Sequence, residues 1–491
     1  MKITIRKLGI IQEAQIDLKP LTILVGPNNA GKTWLAYALF GILSLYSWDK
    51  YVEAYIEGKL SETYQLLDSA LQKVLREGNA TIDIYEFADN EGEKYFQKIA
   101  DFAQKWMPDL TRTQLITFDE MRISLDLTEA KEAFLEQIKL SSLRTSIAGG
   151  ALRIRKRKGE KTVYIYTSES DKRQITEKLP AEDIRERVIR DVLKILHQSL
   201  YPNVYVLPTE RAAFILFRFG SRRRARAPFL ADEKVRNALD ALAKAIQQLP
   251  ELEGADLNAI IDPDARVVTG PVGFFLSSMD YVFDMGTKEV EQRGKSAKDN
   301  PQIQRYMQLS RILEQQILIG GLNFSTPEPE PRRDLLFHPS PDIALEIPIT
   351  SSMVKELAPL VLYLRYMAQP NELLVIDEPE MNLHPEAQAK MIEFLAMLVR
   401  AGLHVLVTTH SSYMVDHLVN LIQAAEHEQG EQEALADMFF LQNAEAFISQ
   451  NDVSVYLIDQ GKAENILHDG KINWSTFGNV SDQIAQIHFA V

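Results

Sequence analysis

Residues 26–33 read Gly26-Pro27-Asn28-Asn29-Ala30-Gly31-Lys32-Thr33, and no other stretch constrains the possible folds as strongly. The pattern is G-x-x-x-x-G-K-[ST], a loop that wraps phosphate with backbone N–H groups and works only between a strand and a helix. Both flanks are present: the apolar run Leu21 to Val25 precedes it, and a helix-like stretch from Trp34 to Leu45 follows. In such a loop Gly26, Asn28, Asn29, Ala30 and Gly31 form the cradle. Lys32 reaches the β- and γ-phosphates, and Thr33 holds Mg²⁺. Asn29 stands where many such loops carry glycine; asparagine tolerates a left-handed backbone better than most residues, so the loop survives.

A second segment answers the first. Leu373-Leu374-Val375-Ile376-Asp377-Glu378-Pro379 is a buried-strand pattern ending in two carboxylates. Asp377 is suited to Mg²⁺, directly or through water. Glu378, one residue on, is suited to orient and deprotonate an attacking water. Taken alone, the segment reads equally as a core strand ending at a solvated acidic turn. A third apolar run, Leu403 to Val407, leads to His410. In an open α/β sheet ligands sit at the carboxyl ends of strands, which puts Gly26, Asp377 and His410 on one rim.

With 491 residues the chain exceeds one ordinary domain, and two or three lobes are expected. The α/β pattern occupies the two ends, 1–50 and 334–491. A mainly helical stretch, 51–333, separates them, with helices expected over 51–77, 94–106, 128–138, 181–200, 232–248 and 302–319. A hairpin is expected over 151–168, because Leu152 and Ile154 alternate with Arg153 and Arg155 before a turn at Lys158-Gly159-Glu160. The Pro-rich run Thr326 to Pro331 marks the return to the α/β pattern. There, strands are expected over Ile343–Ile349, 437–441 and 453–459, a helix over Met353–Met367, and an acidic loop over 426–433. The net charge of −14 argues against an all-over nucleic-acid coat but leaves room for a local basic patch. Without cysteine there is no disulfide, thiolate metal site or thiol nucleophile. The first residues lack the apolar segment of a signal peptide, and no apolar run is long enough to span a bilayer. A cytoplasmic protein with no membrane partner is expected.

Taken together, the order P-loop, Ser-rich turn, apolar strand with Asp-Glu, and histidine resembles the ABC-type ATPases, within them the SMC, RecF and Rad50-like branch. Glu378-Pro379-Glu380-Met381-Asn382-Leu383-His384-Pro385 is similar to the E-P-E-x-x-L-H-P of bacterial AAA15/OLD-like ATPases. His384 stands where transporter-type relatives carry an aspartate. Val407-Thr408-Thr409-His410-Ser411 resembles the switch-histidine strand, and Tyr205-Val206-Leu207-Pro208-Thr209-Glu210-Arg211 resembles a recurring L-P-x-E-R segment of the same branch. The resemblance implies an α/β ATPase head assembled from both chain ends and interrupted by a large insertion. It also implies ATP and Mg²⁺ as ligands, Glu378 and His410 as catalytic residues, and a homodimer or higher oligomer that closes on ATP. For the AAA15/OLD-like group without a Toprim domain it implies a role in anti-phage defence beside a separate effector such as a nuclease. A RecF- or SMC-like role in DNA repair or chromosome maintenance is the alternative, and a transporter ATPase the third.

Some residues stay open at this level. Ser352 in Ser351-Ser352-Met353 sits where the resemblance puts a Ser-Gly signature that meets the partner's γ-phosphate, but Met353 replaces the glycine, and a serine there is also an ordinary helix N-cap. His410 and His384 read also as buried or capping histidines, and Glu210 with Arg211 as a structural ion pair. Two basic clusters, Arg153 to Lys158 and Arg222, Arg223, Arg224 with Arg226, are either solvated faces or contacts for a nucleic-acid backbone. Asp262-Pro263-Asp264 matches a bare nuclease-type Asp-x-Asp, but lies before the Asp377 strand and reads as a turn. No nuclease activity is expected of the chain itself.

Overall fold

In a computed structural model of the chain, residues 1–60, 63–113, 115–167, 180–215, 268–325 and 334–472 are described. The expected helix over 232–248, the arginines at 222–226, Asp262, Asp264 and the Pro-rich run 326–331 lie outside them.

Among the described residues the chain folds around a nine-stranded mixed sheet. Five parallel strands make its centre and one flank, in the order Val453–Asp459, Leu21–Val25, His404–Thr409, Leu373–Asp377 and Val204–Leu207. On the other flank lie Lys462–Asn465, Ile11–Asp17, Lys2–Leu8 and Arg122–Asp126. The chain ends supply seven strands, and the stretch between them supplies the two edges, Arg122–Asp126 and Val204–Leu207. Every residue of Leu21–Val25 and Leu373–Asp377 is buried, as a parallel sheet covered on both faces requires. On one face Leu24, Val375 and Leu406 pack with the helix Lys32–Leu43; on the other Ile23, Ile376 and Val407 pack with Ser352–Leu362, Pro385–Arg400 and Ser412–Ala425. Val25 pairs with Thr409, Asp377 with Thr408 and Ile376 with Leu207. This register brings four strand ends level, so the loops leaving them share one rim.

The middle stretch is less uniformly helical than its periodicity suggests. The hairpin is present as Leu152–Lys156 and Thr162–Thr167, flanked by Leu143–Ile147 and Asn79–Asp83 in a four-stranded antiparallel sheet. The expected helix over 51–77 is two helices, Leu45–Ile56 and Gln65–Glu77. The strand over Ile343–Ile349 stops at Glu346, gives way to a 3₁₀ turn, and pairs outside the main sheet. Gln429–Ala436 is a helix where the acidic loop was expected, and 437–441 is a turn rather than a strand. Among the described residues no helix is long and apolar enough to cross a membrane.

Just before the Asp377 strand, Glu372 is fully buried. It accepts from Asn203 Nδ2 at 2.7 Å, Tyr363 Oη at 2.9 Å and the Gln369 amide at 2.8 Å. Burial outweighs these donors and pushes its carboxyl from the ordinary 4.5 up to about 7. The raised value means that the fold favours the protonated acid. Its contribution is complete below about pH 4.5 and is lost as pH rises through 7, about 3 kcal/mol in all. His197 and His404, which burial holds near 4, give the opposite slope. Denaturant unfolding from pH 5 to 8.5 should therefore show Glu372→Gln gaining on the wild type with rising pH. Parallel stability curves for the two proteins would exclude this origin.

Candidate active site

The P-loop turns sharply as it leaves Val25. At Gly26 a Cβ would stand 2.2 Å from the Ile458 carbonyl oxygen, so the neighbouring strand leaves room only for glycine. Asn29 takes the left-handed conformation (φ +61°), and Gly31 (φ +98°) opens the helix Lys32–Leu43. The first N–H groups of a helix lack intrahelical acceptors and carry the positive end of its dipole, which suits an anion. Asn28, Asn29, Gly31, Lys32 and Thr33 line a cleft of about 890 Å³ with Ile10, Trp34, Glu378 and His410.

Lys32 is 5% exposed and its three donors are all engaged: Gly26 O at 3.0 Å, Pro27 O at 2.9 Å and His410 Nδ1 at 3.2 Å. Burial lowers its pKa, opposed by the charges of Glu378, Asp377 and Glu380. His410 Nδ1 faces both this ammonium and, at 3.0 Å, the Gly26 carbonyl oxygen, while Nε2 donates to Glu378 Oε1 at 2.6 Å. Lys32, His410 and Glu378 thus form one chain of hydrogen bonds joining the P-loop to the end of the Asp377 strand. The bond from His410 holds the Glu378 carboxyl below its usual range, and the charges of His410, Lys32 and Arg211 help against burial. Glu378 itself is left-handed (φ +49°), a conformation that costs a non-glycine residue about 1–3 kcal/mol. Its amide donates to Thr408 O and Oγ1, both at 3.1 Å, and its carbonyl accepts from Arg211 Nη2 at 3.0 Å, so the strained backbone is held on both sides.

Asp377 is fully buried, and among the described residues its carboxylate accepts from hydroxyls alone. Thr33 Oγ1 lies 3.1 Å from both oxygens, Thr209 Oγ1 donates at 2.5 Å, and Thr408 Oγ1 donates to the other oxygen. A buried carboxylate surrounded by neutral donors, with a P-loop threonine against it, fits a hard divalent cation of the Mg²⁺ type. Thr33 and Asp377 would hold it.

Arg211 was legible only as one half of a possible ion pair. The guanidinium is 1% exposed and pairs with Glu356, not Glu210, at 3.1 Å. It also donates to the carbonyls of Pro208, Asp377, Glu378 and Glu356 at 2.6–3.1 Å. Burial lowers its pKa against the charges of Glu356, Asp377 and Glu380. The side chain ties the Val204–Leu207 edge and the helix Ser352–Leu362 to the backbone that carries Asp377 and Glu378. Breaking a buried pair leaves an uncompensated charge and costs about 3–5 kcal/mol. Arg211→Met should lose that much in chemical unfolding, and adding Glu356→Gln should recover a large part. A double variant no more stable than the single one would show that the buried charge is not the cause.

Ser352 stands apart from this cluster. Ser351, not Ser352, is the N-cap and accepts from the Val354 amide at 3.3 Å, while Ser352 is the exposed first residue of the helix. Among the described residues no hydrogen bond joins Ser352 to the P-loop. His384 caps the helix Pro385–Arg400 through Nδ1. Thr209, Thr408, Glu356 and Glu380 were not singled out from the sequence. Glu380 accepts from the His410 amide at 2.6 Å and Thr409 Oγ1 at 2.7 Å, which positions the histidine from behind. One signal for Thr209 was present: Val204-Tyr205-Val206-Leu207-Pro208-Thr209 repeats the pattern of an apolar strand followed by a polar residue.

A parallel sheet whose central strand feeds a glycine-rich loop over a buried lysine, beside a strand ending in a buried aspartate, defines a P-loop nucleotide-binding protein. More specifically, the chain belongs to the AAA ATPase domain family (AAA_15), which it matches over residues 1–415. It is also 40% identical over 62 residues to the Old nuclease of Escherichia phage P2, a match spanning 12% of this chain and 11% of that protein. Among solved structures, the Smc head domain of Pyrococcus furiosus, with an extended coiled coil and bound to the C-terminal domain of ScpA, is 10% identical. It covers 99% of this chain and 98% of that one at a TM-score of 0.32. An SmcHead bound to the C-winged helix domain of ScpA is likewise 10% identical, covering 95% and 96% at 0.33. At such TM-scores neither likeness bears on the argument.

Proposed function

We propose that this chain binds ATP with Mg²⁺ in the cleft beside Lys32 and hydrolyses it, and that two copies close over the nucleotide. The reading extends to a cytoplasmic sensor or regulator ATPase of a bacterial anti-phage defence system, acting with a separate effector nuclease. The observation that carries the enzymatic part is the hydrogen-bonded chain Lys32–His410–Glu378, which joins three strand ends at one cleft. Membership of an ATPase family supports it. The defence role rests on the E-P-E-x-x-L-H-P resemblance and the short match to a phage-encoded nuclease.

In this reading Mg²⁺ neutralises charge on the phosphate oxygens. Lys32 exchanges its carbonyl and imidazole acceptors for phosphate oxygens, which are stronger acceptors for a cation. That exchange releases His410 Nδ1 from the ammonium, leaving it on the Gly26 carbonyl, while Nε2 keeps Glu378 oriented. Glu378, ionised at neutral pH, accepts the proton of the attacking water. The exposed Ser352 is the residue that would meet the nucleotide held by a second copy. A ligand that binds the closed dimer better shifts the population toward it. Glu378→Gln protein should therefore double its mass in light scattering when given Mg²⁺ and ATP. Ser352→Arg on that background should return it to the nucleotide-free state. An oligomeric state indifferent to ATP in Glu378→Gln would remove the dimer from the account and leave the hydrolytic site standing.

A further inference from the structure

The basic run Arg153 to Lys158 divides in the fold. Lys156 points inward, 2% exposed, and donates to the carbonyls of Lys139, Ser141 and Arg157. Arg157 pairs with Glu160. Arg153 and Arg155 point outward from the four-stranded sheet, whose inner face buries Ala80, Ile82, Ile154, Val163 and Ile165. On the outer face Arg155 lies between Arg144 and Tyr164 on its two neighbouring strands, and Arg153 lies between Ser146 and Tyr166. Tyr164 is 41% exposed.

Two features of this face point to a ligand. Like charges directly opposed across strands destabilise a sheet, yet Arg144 and Arg155 face each other, and among the described residues no carboxylate forms an ion pair with Arg144, Arg153 or Arg155. Among the described residues the one acidic side chain on this face, Asp83, caps the helix Ile84–Asp101, accepting from the amides of Tyr85 and Glu86, and pairs with none of the three arginines. In a chain of net charge −14 this leaves a local, uncompensated cationic surface, complementary to a polyanion. Beside it, Tyr164 and Tyr166 stand two residues apart on one strand, roughly 7 Å, a step that successive bases of an extended strand can match. Arginines for the backbone and adjacent rings for bases are the two components of a single-strand binding surface. A duplex keeps its bases stacked inside and has no use for the rings.

We propose that this sheet face binds single-stranded nucleic acid, with Arg144, Arg153 and Arg155 on phosphates and Tyr164 and Tyr166 under bases. The inference does not depend on the nucleotide site. The test is fluorescence anisotropy of the full chain with labelled oligo-dT, oligo-rU and a duplex of the same length, without nucleotide, over a salt series. The wild type should bind single strands better than the duplex. Comparison of dT with rU identifies which polymer is preferred. Tyr164→Ala and Tyr166→Ala should each weaken binding about 5- to 150-fold, and Tyr164→Phe should retain it. Changing the three arginines to alanine should flatten the slope of log affinity against log salt by about 2. ATP turnover without nucleic acid should be unchanged in all of them. Absence of binding at low salt, preference for the duplex, or affinity indifferent to the tyrosines would each overturn the proposal. So would binding to anionic lipid vesicles or to an acidic peptide in place of the oligonucleotides.

Discussion

Changing Glu378 to glutamine is expected to slow ATP turnover about 10²- to 10⁴-fold while ATP affinity stays within a few-fold of the wild type. Removing a general base costs about that much, and the substitution leaves the binding groups in place. Asp377 keeps its three hydroxyl partners, Thr33 among them, and Lys32 keeps its place under the loop. Glutamine also preserves the acceptor that His410 Nε2 meets at 2.6 Å, so the histidine need not move. What it removes is the charge that lets the side chain take a proton. The left-handed backbone at Glu378 is held by Thr408 and Arg211 through main-chain groups, so the strain at that position is the same in the variant. Phosphate release by the two proteins at saturating ATP checks this. Equal turnover would mean that another group activates the water.

Much of this site was legible in the sequence because its parts are local. The P-loop needs eight consecutive residues, and the Asp377 strand announces itself by a run of four apolar residues ahead of two acids. The rim that gathers Gly26, Asp377 and His410 follows from strand polarity alone. The remaining partners come from pairings between distant parts of the chain. Thr209 reaches Asp377 across 168 positions, and Arg211 reaches Glu356 across 145. The apolar strand ahead of Thr209 was visible, but the partners were not, because both pairings depend on Val204–Leu207 adding to the sheet beside Leu373–Asp377. The middle stretch misled in the same way. Helical periodicity dominates it, yet two of its strands close the edges of the main sheet.

Two local readings failed for identifiable reasons. The acidic segment 426–433 looked like a loop, but glutamate, glutamine and alanine are good helix formers, and Gln429–Ala436 is helical. The apolar run 437–441 looked like a strand. Its backbone is satisfied otherwise: the fully buried Glu393 carboxylate accepts from the amides of Phe440 at 3.0 Å and Leu441 at 2.7 Å, and from His417 Nε2. A carboxylate from another helix replaced the neighbouring strand, which no reading of those five residues could reveal.

The second large effect belongs to Lys32. Its ammonium is the cation buried at the floor of the cleft, held by two loop carbonyls and His410. Burial already lowers its pKa, so its charge is thinly solvated and acts at short range on a polyphosphate that replaces its present acceptors. Truncating one partner of a buried, hydrogen-bonded charge pair costs about 2–5 kcal/mol, a loss of roughly 30- to 5,000-fold in affinity. Lys32→Ala should therefore lose ATP binding at ordinary concentrations. The helix it begins is anchored by Leu35, Leu39 and Phe40 in the core and should keep its fold. Unlike Glu378→Gln, this variant fails before chemistry, and the pair separates binding from hydrolysis.

Isothermal titration of ATP with Mg²⁺ into the wild type and Lys32→Ala tests the central claim most directly. The expected result is one saturable site per wild-type chain and no measurable heat of binding in Lys32→Ala, with the same circular dichroism spectrum for both. Equal affinity in the two proteins would contradict the account, because nucleotide would then bind somewhere other than the loop from Gly26 to Thr33.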